Sequence, residues 1–246
     1  MNAAEYAAMY RVEDTLWWYT GMRRIAEALL TSRLRPGIRT LDAGCGTGGN
    51  LRWLGRYGEA FGIDLAPEAM RFCRERGLST VARGSVTSLP YPERTFDLVT
   101  SFDVIYHLDV SDDVAALREF GRVLRSGGTL LVRVPALERL RSEHDTAVHT
   151  RQRYSLDELR GKVASSGLHV VRATYANTLL FPLAAASRLL ARVRRSESAD
   201  AERSDVHPVP APINRLFRAA LDAEASVLPR ADLPVGLSAL VVAEKR

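Results

Sequence analysis

The sequence predicts an α/β fold, a doubly wound and mostly parallel sheet with helices on both faces. Short apolar runs alternate with stretches of helical spacing along most of the 246 residues, the pattern of strands joined by crossover helices. A glycine-rich turn stands between the first such run and the first helical stretch, where sheets of this kind bind ligands. At 46% hydrophobic residues, the chain can also bury a sizeable core.

Residues 1–35 show helical spacing with several aromatic side chains and form an N-terminal helical segment. Apolar runs at 40–43, 60–63, 96–101, 129–134, 168–174 and 237–243 read as strands. Between them, 49–57, 66–76, 111–124 and 155–166 place apolar residues three or four apart, as amphipathic helices do. Ser111 and Ser155 are suited to cap two of these helices, and Gly77 and Gly167 to stop two. The strands up to 129–134 are flanked by helices and should be parallel, whereas pattern alone does not orient the last two. Residues 177–232 form an insertion before the final strand. It holds two amphipathic helical stretches, 178–193 and 213–228, joined near 194–212 by a charged, proline-bearing linker with too few large apolar side chains to order itself. The expected organisation is an N-terminal helical segment at 1–35, an α/β core at 36–176 and 233–246, and the helical insertion at 177–232.

Composition removes several function classes. Cys45 and Cys73 are the only cysteines, too few for a zinc quartet or a disulfide framework, which fits a reduced, cytoplasmic setting. The first residues lack the basic start and apolar run of a signal peptide. The most apolar later stretch is broken by Pro182, Ser187, Arg188 and Arg192, so no membrane span is expected. The formal charge is +5; Lys162 and Lys245 are the only lysines, and the 32 arginines (34 minus 2) are scattered among acidic residues. That distribution reads as a solvated surface and not as a stripe for nucleic acid.

The chemistry starts at Leu41-Asp42-Ala43-Gly44-Cys45-Gly46-Thr47-Gly48-Gly49-Asn50, which follows a strand and opens a helix. Gly44, Gly46 and Gly49 satisfy G-x-G-x-x-G, and Asp64 stands at the end of the next strand, where a carboxylate can accept from both hydroxyls of a ribose. A dinucleotide and an adenosyl sulfonium both meet these constraints. Asp42 separates them, because a carboxylate two residues before the first glycine would repel a pyrophosphate at roughly 4 to 6 Å but attract an ammonium and a sulfonium. Cys45 reads as a small residue that fits the turn.

These residues resemble the first motif of the class I S-adenosylmethionine-dependent methyltransferases, small-molecule branch, matched by Asp42, Gly44, Gly46 and Gly48. The resemblance continues through Gly62-Ile63-Asp64-Leu65-Ala66-Pro67-Glu68-Ala69-Met70, and through Gly84-Ser85-Val86 before Leu89-Pro90, where the family commonly has Asp at the position of Ser85. It extends over residues 96–107, from Phe96 to the exit loop with Phe102, Asp103, Tyr106 and His107, and over Leu124-Arg125-Ser126-Gly127-Gly128, where Ser126 replaces the usual Pro. The resemblance implies a Rossmann-like, seven-stranded sheet with the N-terminal helices as a lid. It also implies S-adenosyl-L-methionine as cofactor, S-adenosyl-L-homocysteine as product, Asp64 at the ribose, Met70, Ser85 and Val86 at the adenine, and Leu65, Phe102 and Asp103 as further cofactor-binding residues.

The acceptor should then sit outside the carboxyl ends of the strands. His107 is the first candidate for a general base, with Tyr106 beside it, and His144 and His149 follow in a polar loop that also carries Asp145, Arg151, Arg153 and Tyr154. Tyr10, Trp18 and Tyr19 are candidate pocket walls with His149 and Tyr154. No serine triad or metal-ligand set is visible. The reading is methyl transfer to a carbon, oxygen or nitrogen of a small acceptor, driven mainly by positioning. A macromolecule methyltransferase and a nicotinamide oxidoreductase are the rivals, and the N-terminal and inserted helices offer surface for a homodimer or higher homo-oligomer.

Overall fold

The computed structural model describes residues 3–141, 145, 149–194 and 209–246, the side chains of 188–194 excepted. One sheet contains β1 (Ile38–Ala43), β2 (Gly58–Asp64), β3 (Val81–Arg83), β4 (Phe96–Phe102), β5 (Leu124–Pro135), β6 (His169–Ala176) and β7 (Ser238–Glu244). Their order is β3-β2-β1-β4-β5-β7-β6, with β7 alone antiparallel to its neighbours. The doubly wound fold expected from the sequence is therefore present. Residues 81–83 are too few to show a period, which is why pattern reading finds six runs and not seven.

The chain order reverses between β1 and β4, and their carboxyl ends lead into helices on opposite faces, so a crevice opens there. The helices are α1 (Ala3–Val12), α2 (Trp17–Leu30), α3 (Gly49–Leu54), α4 (Pro67–Glu75), α5 (Asp113–Val123), α6 (Leu156–Ser165), α7 (Phe181–Arg194) and α8 (Ala211–Val227). Ser155 caps α6, accepting from Glu158 N at 3.1 Å. At α5 the cap is Asp112 and not Ser111: its carboxylate accepts from Ala115 N at 2.9 Å, while the Ser111 carbonyl takes Arg151. Gly77 and Gly167 stop α4 and α6 at φ 74° and 90°, as expected.

Alternate residues of the central strands feed two apolar layers. Leu130, Phe96 and Val241 pack with Phe120 and Leu159 on one face, and Leu131, Leu98 and Leu240 pack with Ile25, Leu30 and Leu221 on the other. The second layer ties the inserted α8 to α2. A Cβ on Gly21 would come within 2.5 Å of Leu221, so only glycine permits this close approach. Trp17 meets Phe217 edge-on at 5.2 Å, and Asn214 Oδ1 accepts from Trp17 N at 2.7 Å. Of the expected linker, 195–208 lie outside the described residues, and its end is helical because α8 starts at Ala211. No helix among the described residues is long and apolar enough to cross a membrane.

Candidate functional site

Three glycines with positive φ, Gly44, Gly46 and Gly48, fold the turn after β1. A Cβ on Gly44 would lie 2.1 Å from Val104, so the β1 and β4 exits can approach only at glycine. At the end of β2, Asp64 accepts from Gly46 N at 2.9 Å, from Ala66 N at 3.0 Å and from Tyr6 OH at 3.1 Å. Burial pushes its carboxyl up, and these hydrogen bonds hold it back. The Tyr6 hydroxyl is pushed up by burial and by the Asp64 charge beside it, so it stays a donor.

The N-terminal helices close over this turn. Met9 lies against Gly46, and Glu13 accepts from Thr47 Oγ1 and from Arg76 at 2.7 Å. Arg23 donates to the Glu13 carbonyl and to Asn50 Oδ1 at 3.2 Å. Asp14 pairs with Arg52 and Arg76.

Between these helices and the strand ends lies a cleft of about 720 Å³. Asp64, Leu65, Ser85 and Val86 line its outer end, with Gly44 and Gly46. Trp18, Tyr19, Phe102, Asp103, Tyr106 and His107 line its inner end. Arg133 of β5 lies in that inner wall, 4.7 Å over the Trp18 ring and 4.8 Å from Phe102, while its guanidinium pairs with Asp103. A second pair, Arg153 with Asp145 at 2.8 and 2.9 Å, is almost wholly buried in the same wall. Tyr19 and Tyr106 have hydroxyls pushed up by burial, so both remain protonated and neither is a base.

His107 bonds through Nε2 to the Asp103 carbonyl at 3.1 Å. A carbonyl only accepts, so Nε2 carries the hydrogen and Nδ1 keeps its lone pair, which is buried and has no partner. Burial lowers the imidazole to about 4, leaving it neutral near neutral pH.

Other expected contacts do not reach the cleft. Asp42 is fully buried beneath the turn, where Thr100 Oγ1 donates to Oδ1 at 2.8 Å and Oδ2 has no partner. Burial raises its carboxyl to about 7. Gly48 faces Leu78 and Cys73, and Met70 is packed in the apolar cluster of α4. Tyr10 stacks on Phe72 at 4.6 Å with Arg76 above it, held on the outside of the lid by that contact. Tyr154 is core: it is 0% exposed and donates to Asp113 at 2.6 Å beneath Lys162. His149, at φ 55°, turns the loop outside the cleft, and its carbonyl accepts from Leu108 N. His144 lies outside the described residues.

Sequence reasoning left Arg23, Arg133 and Asn177 without a role, yet all line the cleft. A buried Arg inside an otherwise apolar strand, Leu130-Leu131-Val132-Arg133-Val134, is the signal that could have revealed Arg133. Among the described residues, no group of three His, Cys, Asp or Glu side chains is placed to hold a metal ion.

Residues 41–132 match the family model described as "Methyltransferase domain". Phosphoethanolamine N-methyltransferase 1 of Arabidopsis thaliana is 34% identical over 119 residues, 46% of this chain and 24% of the relative. The tRNA (carboxymethyluridine(34)-5-O)-methyltransferase of the same plant is 30% identical over 150 residues, 58% of this chain and 35% of the relative. The chain thus matches between a quarter and about a third of the length of these proteins. A crystal structure of an S-adenosylmethionine-dependent methyltransferase from Mesorhizobium loti shares the fold, with TM-score 0.61, 17% identity and coverage of 94% of this chain and 99% of that one.

Proposed function

We propose that this chain, whose residues 41–132 match a methyltransferase domain, is a class I S-adenosylmethionine-dependent methyltransferase, and that it methylates a small-molecule acceptor held in the inner end of the cleft. The carrying observation is the aromatic enclosure by Trp18, Tyr19, Phe102 and Tyr106, next to an outer end whose residues fit the cofactor. S-adenosyl-L-methionine supplies a methyl group on a sulfonium, a good leaving group. Asp64 is placed to accept from its ribose hydroxyls. The adenine belongs beside Leu65, Ser85 and Val86, and the amino-acid end beside Arg23 and the N–H groups of the turn. The unpartnered Oδ2 of Asp42 supports a positive charge nearby, acting through the turn and not by contact.

The chain's own contribution is chiefly positioning and exclusion of water. Neutral His107 accepts a hydrogen from the acceptor's nucleophilic atom and orients its lone pair. Where that atom is a hydroxyl oxygen, His107 takes the proton as positive charge develops on it. Phe102 and Trp18 hold Arg133, and Arg133 keeps Asp103 from drawing the sulfonium out of line.

The lid at 1–35, the core at 36–176 and 233–246 and the insertion at 177–232 serve this reading as cover, donor platform and outer wall. Exposed Leu183 and Leu216 on α7 and α8 supply apolar surface for self-association, checked by the mass of the chain in solution. The tRNA-modifying relative favours a second reading, a nucleoside within RNA. Incubation with labelled S-adenosylmethionine and either total RNA or a metabolite extract decides: label in the small-molecule fraction alone supports the proposal, and label in RNA overturns it.

A further inference from the structure

Two nearly buried side chains that line the cleft keep a polar atom with no partner. Asn177 is 2% exposed with Oδ1 unpartnered, and Thr150 is 7% exposed with Oγ1 unpartnered. Both line the cleft, as does His107, whose Nδ1 is the third such atom. A buried polar atom without a partner is costly, so three lining one cleft point to a ligand that satisfies them.

Their placement is fixed by the backbone. Thr150 and His107 face each other across an antiparallel bridge, and Thr150 N donates to Asp145 O at 2.7 Å. Asn177, at φ 60° just past β6, is clamped by Glu224 of α8, which accepts from Asn177 N and Leu179 N, both at 2.7 Å. His107 Nδ1 and Asn177 Oδ1 can only accept, and Thr150 Oγ1 can accept as well. A carboxylate or phosphate would bring more acceptors, and would also meet Asp103, Asp109 and Asp145. Arg133 pairs with Asp103 and Arg153 with Asp145, while Asp109 also lines the cleft.

Resting on the methyl-transfer reading above, we propose that the acceptor is a primary amine on an apolar, aromatic-sized body, its two N–H groups shared among His107 Nδ1, Asn177 Oδ1 and Thr150 Oγ1. The amine reacts in its neutral form, with two hydrogens held by these atoms and its lone pair free. The nitrogen lone pair forms the C–N bond to the methyl group while the C–S bond breaks, and the sulfur keeps that electron pair as a thioether. The nitrogen becomes a methylated ammonium, stabilised by the carboxylates that line the cleft, and sheds a proton to water after release. Trp18, Phe102 and Tyr106 pack the body.

Calorimetry on the full chain saturated with S-adenosylhomocysteine, at mildly alkaline pH, tests this with phenethylamine, hydrocinnamate and phenethyl alcohol as probes. The amine should bind about tenfold more tightly than the carboxylate, with the alcohol between them. The double variant Asn177→Leu/Thr150→Val should erase most of that preference, and Asn177→Asp with Thr150→Ser, which keeps the acceptors, should retain it. Equal or tighter binding of hydrocinnamate, an unchanged preference in the double variant, or no binding by any probe overturns the amine assignment alone. Failure of S-adenosylhomocysteine to bind overturns the methyl-transfer reading and this assignment with it.

Discussion

The two ends of the cleft are built on opposite principles. At the outer end each oxygen of Asp64 already has partners within the protein, and these come from short stretches of chain: the turn after β1, the exit of β2 and one lid tyrosine. At the inner end, Trp18, His107, Arg133, Thr150 and Asn177 come from five distant segments, and three of the polar atoms they gather have no partner. On the proposed reading, the outer end is preformed around a constant ligand, while the inner end is left incomplete for a variable one.

Breaking the inner wall should have the largest effect. Arg153→Met removes the buried ion-pair partner of Asp145 and should lower unfolding free energy by about 3–5 kcal/mol in urea titration. At the outer end, Asp64→Ala should weaken S-adenosylhomocysteine binding by about 2–3 kcal/mol, roughly 30- to 150-fold, in calorimetry, with little change in probe binding at the other end.

His107→Ala should lower kcat by about a hundredfold where the acceptor atom must lose a proton in the step. With the imidazole at about 4, the wild-type rate should show no inflection from His107 above pH 6. The folded imidazole sits below its unfolded value, so the unfolded chain takes the proton first, and His107 costs stability as pH falls from 6.5 towards 4.

The gentlest effect sharpens the comparison. Asp42, raised to about 7, is neutral below that pH, so donor affinity should fall as pH drops from 8 to 6, by at most about tenfold per unit. Asp42→Asn should flatten that slope. Because its folded value lies above the unfolded one, Asp42 favours the ligand-free fold at acid pH, and that contribution fades as pH rises through 7.

The outer end was legible because its chemistry is local. Glycines at fixed offsets and a carboxylate closing the next strand are visible along the chain, and Gly44, Gly46, Asp64, Leu65, Ser85 and Val86 all line the cleft. Depth was not legible: the sequence cannot tell that Asp42 lies under the turn or that Met70 turns into the α4 cluster, since both occupy the spacing a contact would. Tyr154 and Tyr10 illustrate the same limit from the aromatic side, one consumed by Asp113 and the other by Phe72. The inner end depends on which loops meet, and the His107–Thr150 bridge joins residues 43 apart that no periodicity connects. The short edge strand and the Asp112 cap escaped for a simpler reason, since a few residues carry little pattern.

The antiparallel β7 has a consequence for biosynthesis. It is made after β5 and β6, yet it is the strand that bridges them. Until residues 238–244 leave the ribosome, two strand edges stay open beside each other, and the nascent protein is at its most vulnerable to aggregation in that interval.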